Sequence, residues 1–136
     1  MINNRAAEIL LEMRQKSDRY AEKSTRLSEL LERAECFLNE LPGKVEITIA
    51  DTKGFLHFKR CQGAWQLQYE ADNTSFNNTF NVTEAPVHIK AAAAKLLPEL
   101  IDTLLQVISE RVSEVDAGLE ALDTIEFLRD SEGGDQ

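Results

Sequence analysis

The sequence is poor in the residues that build metal and nucleophilic sites. Its 136 residues include two cysteines, Cys36 and Cys61, and two histidines, His57 and His88. None of the four lies at a metal-ligand spacing such as C-x-x-C or H-x-x-x-H, so we expect no metal site. His57 precedes Cys61 by four residues, but no Gly-rich turn adjoins them, which favours a structural thiol over a nucleophile.

Glycine and long apolar runs are also scarce. No G-x-G-x-x-G, Walker A or G-x-S-x-G motif occurs, so neither a nucleotide cofactor nor a hydrolase mechanism is expected. The first residues, MINNRAAEILLEMRQK, interrupt their apolar positions with Arg and Glu, unlike a signal peptide or a membrane span. We therefore expect a cytoplasmic protein with reduced thiols, no cofactor, no membrane partner and no catalytic activity.

Positive charge is nearly missing from the C-terminal part. Residues 1–98 contain thirteen acidic and thirteen basic residues, whereas residues 99–136 contain eleven acidic residues against Arg111 and Arg129. The net charge of -9 therefore lies entirely after residue 98. Nucleic-acid binding requires clustered Lys and Arg, so no nucleic-acid partner is expected. The asymmetry favours a basic partner or serves solubility.

What the sequence does contain is helical periodicity at both ends. Apolar residues at three- and four-residue intervals predict a helix over residues 1–41, which Pro42 and Gly43 end. A second helix is predicted over residues 86–128, with Thr83 as its cap and a kink at Pro98. Residues 130–136 form an acidic tail that we expect to be disordered.

Between the helices, alternating apolar residues predict a three-stranded antiparallel β-meander over residues 44–70. Loops at 51–54 and 62–63 place Ile49 opposite Leu56 and Phe58 opposite Leu67, so that the apolar residues of all three strands share one face. Residues 71–85, rich in Asn and Thr, predict a loop, with a short edge strand as the alternative.

Together these elements predict one α+β domain over residues 1–129, with both helices on one face of the sheet and in coiled-coil-like pairing. The first helix spans more than about 50 Å and a strand roughly 23 Å, so the helix must also meet another helix or another chain. An antiparallel hairpin within a monomer is one solution. We prefer a homodimer whose interface is Leu97, Ile101, Leu105, Ile108, Val112, Val115, Leu119 and Leu122.

These observations favour a protein-protein interaction module, a homodimeric adaptor or chaperone-like protein that binds a specific protein client. In size, acidity and element order the chain resembles the small acidic dimeric chaperones of bacterial secretion systems, a class analogy that transfers no residue roles. The alternatives are an acidic decoy that inhibits a nucleic-acid-binding protein, and a small-ligand sensor or an enzyme without a recognisable motif. The candidate partner surface comprises Glu46, Thr48, His57, Lys59, Gln66, Gln68, Glu110, Glu114, Asp116, Glu120 and Asp123.

Overall fold

The computed structural model describes residues 4–72 and 79–128, and the fold is α+β. Along the chain, a long N-terminal helix is followed by four antiparallel strands, which pair in the order β1-β2-β3-β4, and then by a long C-terminal helix. The elements are α1 (Asn4–Asn39), β1 (Ile47–Ala50), β2 (Gly54–Cys61), β3 (Ala64–Ala71), β4 (Thr79–Asn81), a 3-10 turn (Val82–Glu84) and α2 (Val87–Asp123). The predicted acidic tail lies outside the described residues.

The predicted register of the first three strands is confirmed. Ile49 pairs with Leu56, and Phe58 pairs with Leu67. The first turn is held by the Asp51 carboxylate, whose Oδ1 accepts the backbone N–H groups of Lys53 and Gly54 at 2.8 and 2.9 Å. The second turn has positive φ at both central positions, 62 and 63, as a two-residue hairpin loop requires.

The sheet has four strands rather than the three predicted. Thr79–Asn81 pairs with β3, with Asn81 opposite Gln68 and Phe80 opposite Tyr69. The Asn- and Thr-rich composition of this segment is typical of loops, and its strand exists because β3 offers a backbone edge to pair with. The edge strand weighed as the alternative is therefore present, within residues predicted to form a loop.

Both helices differ from the prediction at their ends, for local reasons. At the end of α1, the Lys44 Nζ donates hydrogen bonds to the carbonyls of Asn39 and Leu41 at 2.9 and 3.0 Å, which satisfies the last turn. The N-cap of α2 is Pro86, without a side-chain hydrogen bond, so the predicted Thr83 cap is wrong. Pro98 lies inside α2, where the kink remains a prediction.

Both helices pack on the apolar face of the sheet. Helix α2 lies against β1 and β2, and α1 lies against β3. The core is built from one face of β1, β2 and β3 and one stripe of each helix, together with Val82 and Ala85, and no charged residue among those described is buried. Its members are Leu31, Leu38, Ile47, Ile49, Leu56, Phe58, Leu67, Tyr69, Val82, Ala85, Ile89, Ala93, Leu96, Leu100 and Leu104.

The two helices run in the same direction across the sheet. Near the start of α2, the Lys90 Nζ donates to the Ser28 hydroxyl at 2.9 Å, in the middle of α1. Just past the end of α1, Val45 lines a groove together with Ile108, in the middle of α2. Both helices therefore run from the Ser28–Lys90 hydrogen bond towards the groove lined by Val45 and Ile108. This direction excludes an antiparallel hairpin between the described parts of α1 and α2.

Each helix extends beyond the sheet, at opposite ends of the molecule. Residues 4–23 are exposed throughout and form what we call the α1 arm. Residues 109–123, likewise exposed, form the α2 arm. Because the helices share a direction, the N-terminal α1 arm and the C-terminal α2 arm point away from each other. Among the described residues, neither helix combines the length and apolarity needed to cross a bilayer.

Candidate functional site

The residues predicted as an oligomer interface form a stripe along α2 that a single chain leaves mostly in water. Leu105 is 64% exposed, and Leu119 is 60% exposed. Leu97 and Ile108 differ from the others, because they are half-buried and pack against the core. We call the exposed remainder the α2 stripe: Ile101, Leu105, Val112, Val115, Leu119 and Leu122.

Helix geometry explains why this stripe is uncovered. At 100° per residue, the core-facing positions Ile89, Ala93, Leu96, Leu100 and Leu104 form one row, and the α2 stripe follows a second row about a quarter turn away. The sheet covers the first row. The second row faces sideways along the body and then continues along the α2 arm, where the sheet no longer reaches.

A shallow apolar groove lies at the base of the α2 arm. Its volume is about 270 Å³, and the segment after α1 forms one wall with Gly43 and Val45. The opposite wall is α2, with Ile108, Val112 and Val115. The groove therefore interrupts the α2 stripe with a depression that a large apolar side chain from another helix can enter.

The α1 arm carries a second exposed apolar stripe. Ile9, Leu10, Met13 and Tyr20 are all exposed, with Tyr20 at 63%. We call these four residues the α1 stripe. The three-four periodicity identified this row, and the sequence predicted that the helix meets another helix or another chain, but no residue of the row was named as an interface. The same row continues into the buried positions Leu31 and Leu38. Only the position of the sheet edge separates the buried part from the exposed part.

The polar face of the sheet holds an ordered hydrogen-bond network across three strands. The Thr48 hydroxyl lies 2.8 Å from His57 Nδ1, and His57 Nε2 lies 3.2 Å from Glu70 Oε1. The His57 side chain is 15% exposed and that of Glu70 48% exposed. The contact with Thr48 thus orients the imidazole ring. The Glu70 carboxylate lies at the solvent boundary, where it is a hydrogen-bond acceptor.

A second pair of polar contacts extends this face to the fourth strand. The Gln68 Nε2 donates to Asn81 Oδ1 at 3.0 Å and reaches Gln66 Oε1 at 3.5 Å. Lys59 pairs with Gln66 in the sheet register. The structure thus brings together the predicted partner residues Thr48, His57, Lys59, Gln66 and Gln68. It adds Asn81, which the prediction of a loop after residue 70 left out of the sheet.

The remaining predicted partner residues lie elsewhere. Glu46 is exposed just before β1. Five acidic residues line the α2 arm, all exposed and away from the sheet face: Glu110, Glu114, Asp116, Glu120 and Asp123. Arg111 is the one basic residue of the α2 arm and lies 3.9 Å from Glu114. The predicted partner surface is therefore two separate surfaces, a polar sheet face and an acidic helix face.

A cleft of about 450 Å³ lies where the first β-turn meets the start of α2. Asp51, Lys53, His88 and Lys95 surround it, and Tyr69 contributes to its wall. Burial, and then the nearby Asp51 carboxylate, raise the pKa of the Tyr69 hydroxyl above its ordinary value. Sequence reasoning missed this cleft because its walls come from segments far apart in the chain.

Thiols and metal ligands do not converge in the part of the chain that the structure describes. Cys36 is exposed, Cys61 is half-buried, and both are free. No group of three or more His, Cys, Asp or Glu residues is positioned to hold a metal ion among residues 4–72 and 79–128. Comparison with protein families, with curated proteins and with solved structures finds no match for this chain.

Proposed function

We propose that this chain is a non-catalytic protein-protein interaction module that works as a homodimer and binds a specific protein client. The observation that carries the proposal is the α2 stripe. From Ile101 to Leu122 it runs for roughly 33 Å at 1.5 Å per residue. A contiguous apolar surface of that length on a monomer is typical of a protein-protein interface and otherwise promotes aggregation.

The client-binding surface in this proposal is the polar face of the sheet. Its side chains are held in place by the contacts around His57 and Gln68, so binding loses less side-chain entropy than it would on a disordered surface. The face also lies on the opposite side of the sheet from both helices. A client can therefore bind there while the helices form the dimer.

The test of the dimer is molar mass by size-exclusion chromatography with light scattering. The parent chain is expected at about twice its mass of 15.3 kDa. Leu105→Glu with Val112→Glu places two carboxylates in the α2 stripe and is expected to give a folded monomer. These positions are preferable to Ile108, which packs against the core and whose replacement would also unfold the chain.

The matched control is Ala117→Glu with Ala121→Glu, which adds the same charge at two exposed positions on the opposite side of the α2 arm. This control is expected to remain dimeric, with a circular dichroism spectrum equal to that of the parent. A parent chain that is monomeric at 100 µM, roughly the concentration at which weak dimers form, would refute the homodimer.

The client surface is tested separately by photo-crosslinking in the native cell. A photoreactive amino acid at Gln66, on the polar sheet face, is expected to give one discrete adduct with another protein. The same amino acid at Glu29, exposed on the outer side of α1 and outside the α1 arm, serves as the control for random collision. Equal adducts from both positions would contradict a specific client site on the sheet.

The acidic decoy is the second candidate, favoured by the five exposed carboxylates of the α2 arm. A decoy binds its basic partner mainly through charge, so its affinity falls steeply as salt rises above about 0.1 M. Glu110→Gln, Glu114→Gln and Glu120→Gln together would abolish that binding while the homodimer remains intact. The affinity for a client bound on the sheet face would not change with the three substitutions.

A small-ligand role would instead appear as thermal stabilisation by a compound that fills the cleft beside Tyr69.

A further inference from the structure

We infer that the α2 stripe of each copy is covered by the α1 arm of a second copy, so that two chains exchange arms reciprocally. This inference rests on the homodimer proposed above and names its two surfaces. The homodimer by itself requires only that α2 be covered. Pairing of α2 with α2 would satisfy that requirement as well, and the described residues argue against it on three grounds.

The first ground is the placement of the arms. They extend from opposite ends of a molecule whose two helices run in the same direction. A two-fold axis perpendicular to the helices turns the second copy end over end and sets its α1 arm antiparallel to the α2 arm of the first. The same rotation forms the equivalent contact at the other end. One two-fold rotation therefore forms both arm contacts, so the assembly is a closed isologous dimer.

The second ground is coverage. Residues 4–23 span about 30 Å and the α2 stripe roughly 33 Å, so one arm covers one stripe along its length. Pairing of α2 with α2 would leave Leu10, Met13 and Tyr20 in water on both copies. Two strips of about 30 by 10 Å, counted on both partners, remove on the order of 1,200 Å² from solvent, which reaches the range of stable interfaces.

The third ground is charge. The α1 arm carries five basic and four acidic residues, whereas the α2 arm carries five acidic residues and Arg111. By helix geometry, the charged positions that flank the α1 stripe include three basic residues, Arg14, Lys16 and Lys23, and one acidic residue, Glu12, which contacts Lys16 at 2.9 Å. Asp116 and Asp123 border the α2 stripe. Pairing α1 with α2 opposes unlike charges, and pairing α2 with α2 opposes like ones.

The groove at the base of the α2 arm fits the same arrangement. In the antiparallel pair, the part of the α1 arm nearest its own body lies opposite the base of the partner's α2 arm. Tyr20 is the large apolar side chain in that part of the arm. It falls opposite the groove between Val45 and Ile108, and burial there accounts for an aromatic residue on an otherwise polar stretch of helix.

The first test compares variants by light scattering. Leu10→Glu with Met13→Glu, in the α1 arm, is expected to halve the molar mass just as Leu105→Glu with Val112→Glu does. Its control, Gln15→Glu with Arg19→Gln, makes the same change of net charge on the opposite side of α1 and is expected to stay dimeric. If the α1 variant remains dimeric while the α2 variant is monomeric, arm exchange is overturned and the proposed homodimer stands.

The second test is a disulfide between copies, in a Cys36→Ser and Cys61→Ser background. Tyr20→Cys with Val112→Cys is expected to give a covalent dimer on oxidation with oxidised glutathione, because the two positions of one chain lie on opposite arms. Tyr20→Cys alone and Val112→Cys alone are expected to stay monomeric on denaturing gels. Crosslinking by Val112→Cys alone would demonstrate α2 pairing with α2 and overturn the inference. A monomeric parent would overturn both this inference and the homodimer.

Discussion

At the scale of single residues, Gly54 shows how closely two strands approach. It begins β2 opposite Ala71 and is buried. A Cβ atom at this position would collide with the backbone carbonyl of Glu70 and with the ring of Tyr69. Gly118 is its opposite, since a Cβ there meets nothing. The same residue type is therefore required at one position and merely tolerated at the other.

We predict that Gly54→Ala lowers the free energy of unfolding by about 1–3 kcal/mol, because the strand pair must separate to admit the methyl group. Gly118→Ala, the matched control, is expected to raise it by up to about 1 kcal/mol, the difference in helix propensity. Urea titration followed by circular dichroism measures both. Equal effects of the two substitutions would show that the close approach at Gly54 is not present in solution.

At the scale of elements, Glu35 connects α1 to the edge of the sheet. Its Oε2 accepts the backbone N–H of Leu67 at 2.9 Å. Strand β4 pairs with β3 only as far as Gln68, so the next N–H group along β3 has no strand partner on that side. A helix carboxylate completes the ladder where the short strand ends, which also sets the position of α1 over β3.

We predict that Glu35→Ala lowers the free energy of unfolding by roughly 1–3 kcal/mol, since it leaves the Leu67 N–H without an acceptor. Glu35→Gln keeps an acceptor oxygen and is expected to recover at least half of that loss. Glu32→Ala, on an exposed position one turn earlier, is the control and should change little. Hydrogen exchange at the Leu67 amide provides an independent reading, with faster exchange expected only in Glu35→Ala.

The strands differ in how well the sequence predicts them. The period-two pattern predicted the pairing of Ile47 with Phe58 because an error of one residue would turn every apolar side chain towards water. A register error in Thr79–Asn81 carries no comparable penalty, because this three-residue strand is too short to show an apolar-polar alternation. Its existence depends on the free edge of β3, which is not a local property of residues 79–81.

At the scale of the whole molecule, the arms divide the chain into a covered body and two uncovered helix ends. The body buries its core within one copy, from Leu31 and Leu38 on α1 to Leu104 on α2. Every residue of the two arms is exposed within one copy. We therefore expect contact with a second copy to stabilise their helical state, because a helix without packing on other elements is marginal in water.

We predict that stability depends on protein concentration, as it must when folding includes association. A tenfold increase in the parent chain is expected to raise the apparent free energy of unfolding by about 1.4 kcal/mol per mole of dimer. Leu105→Glu with Val112→Glu is expected to unfold at one urea midpoint at every concentration. A concentration-independent midpoint for the parent would contradict the dimer independently of any chromatographic result.

The sequence by itself determined the order of elements, the strand register and the two apolar rows, since each follows from periodicity between near neighbours. Charge counting likewise located all of the net negative charge after residue 98. Only the tertiary structure decided that the helices run in one direction, that Leu10 and Leu105 remain exposed while Leu31 and Leu100 do not, and that β4 pairs with β3. The reason is physical, because burial and helix direction depend on where the sheet ends, and no local pattern encodes that boundary.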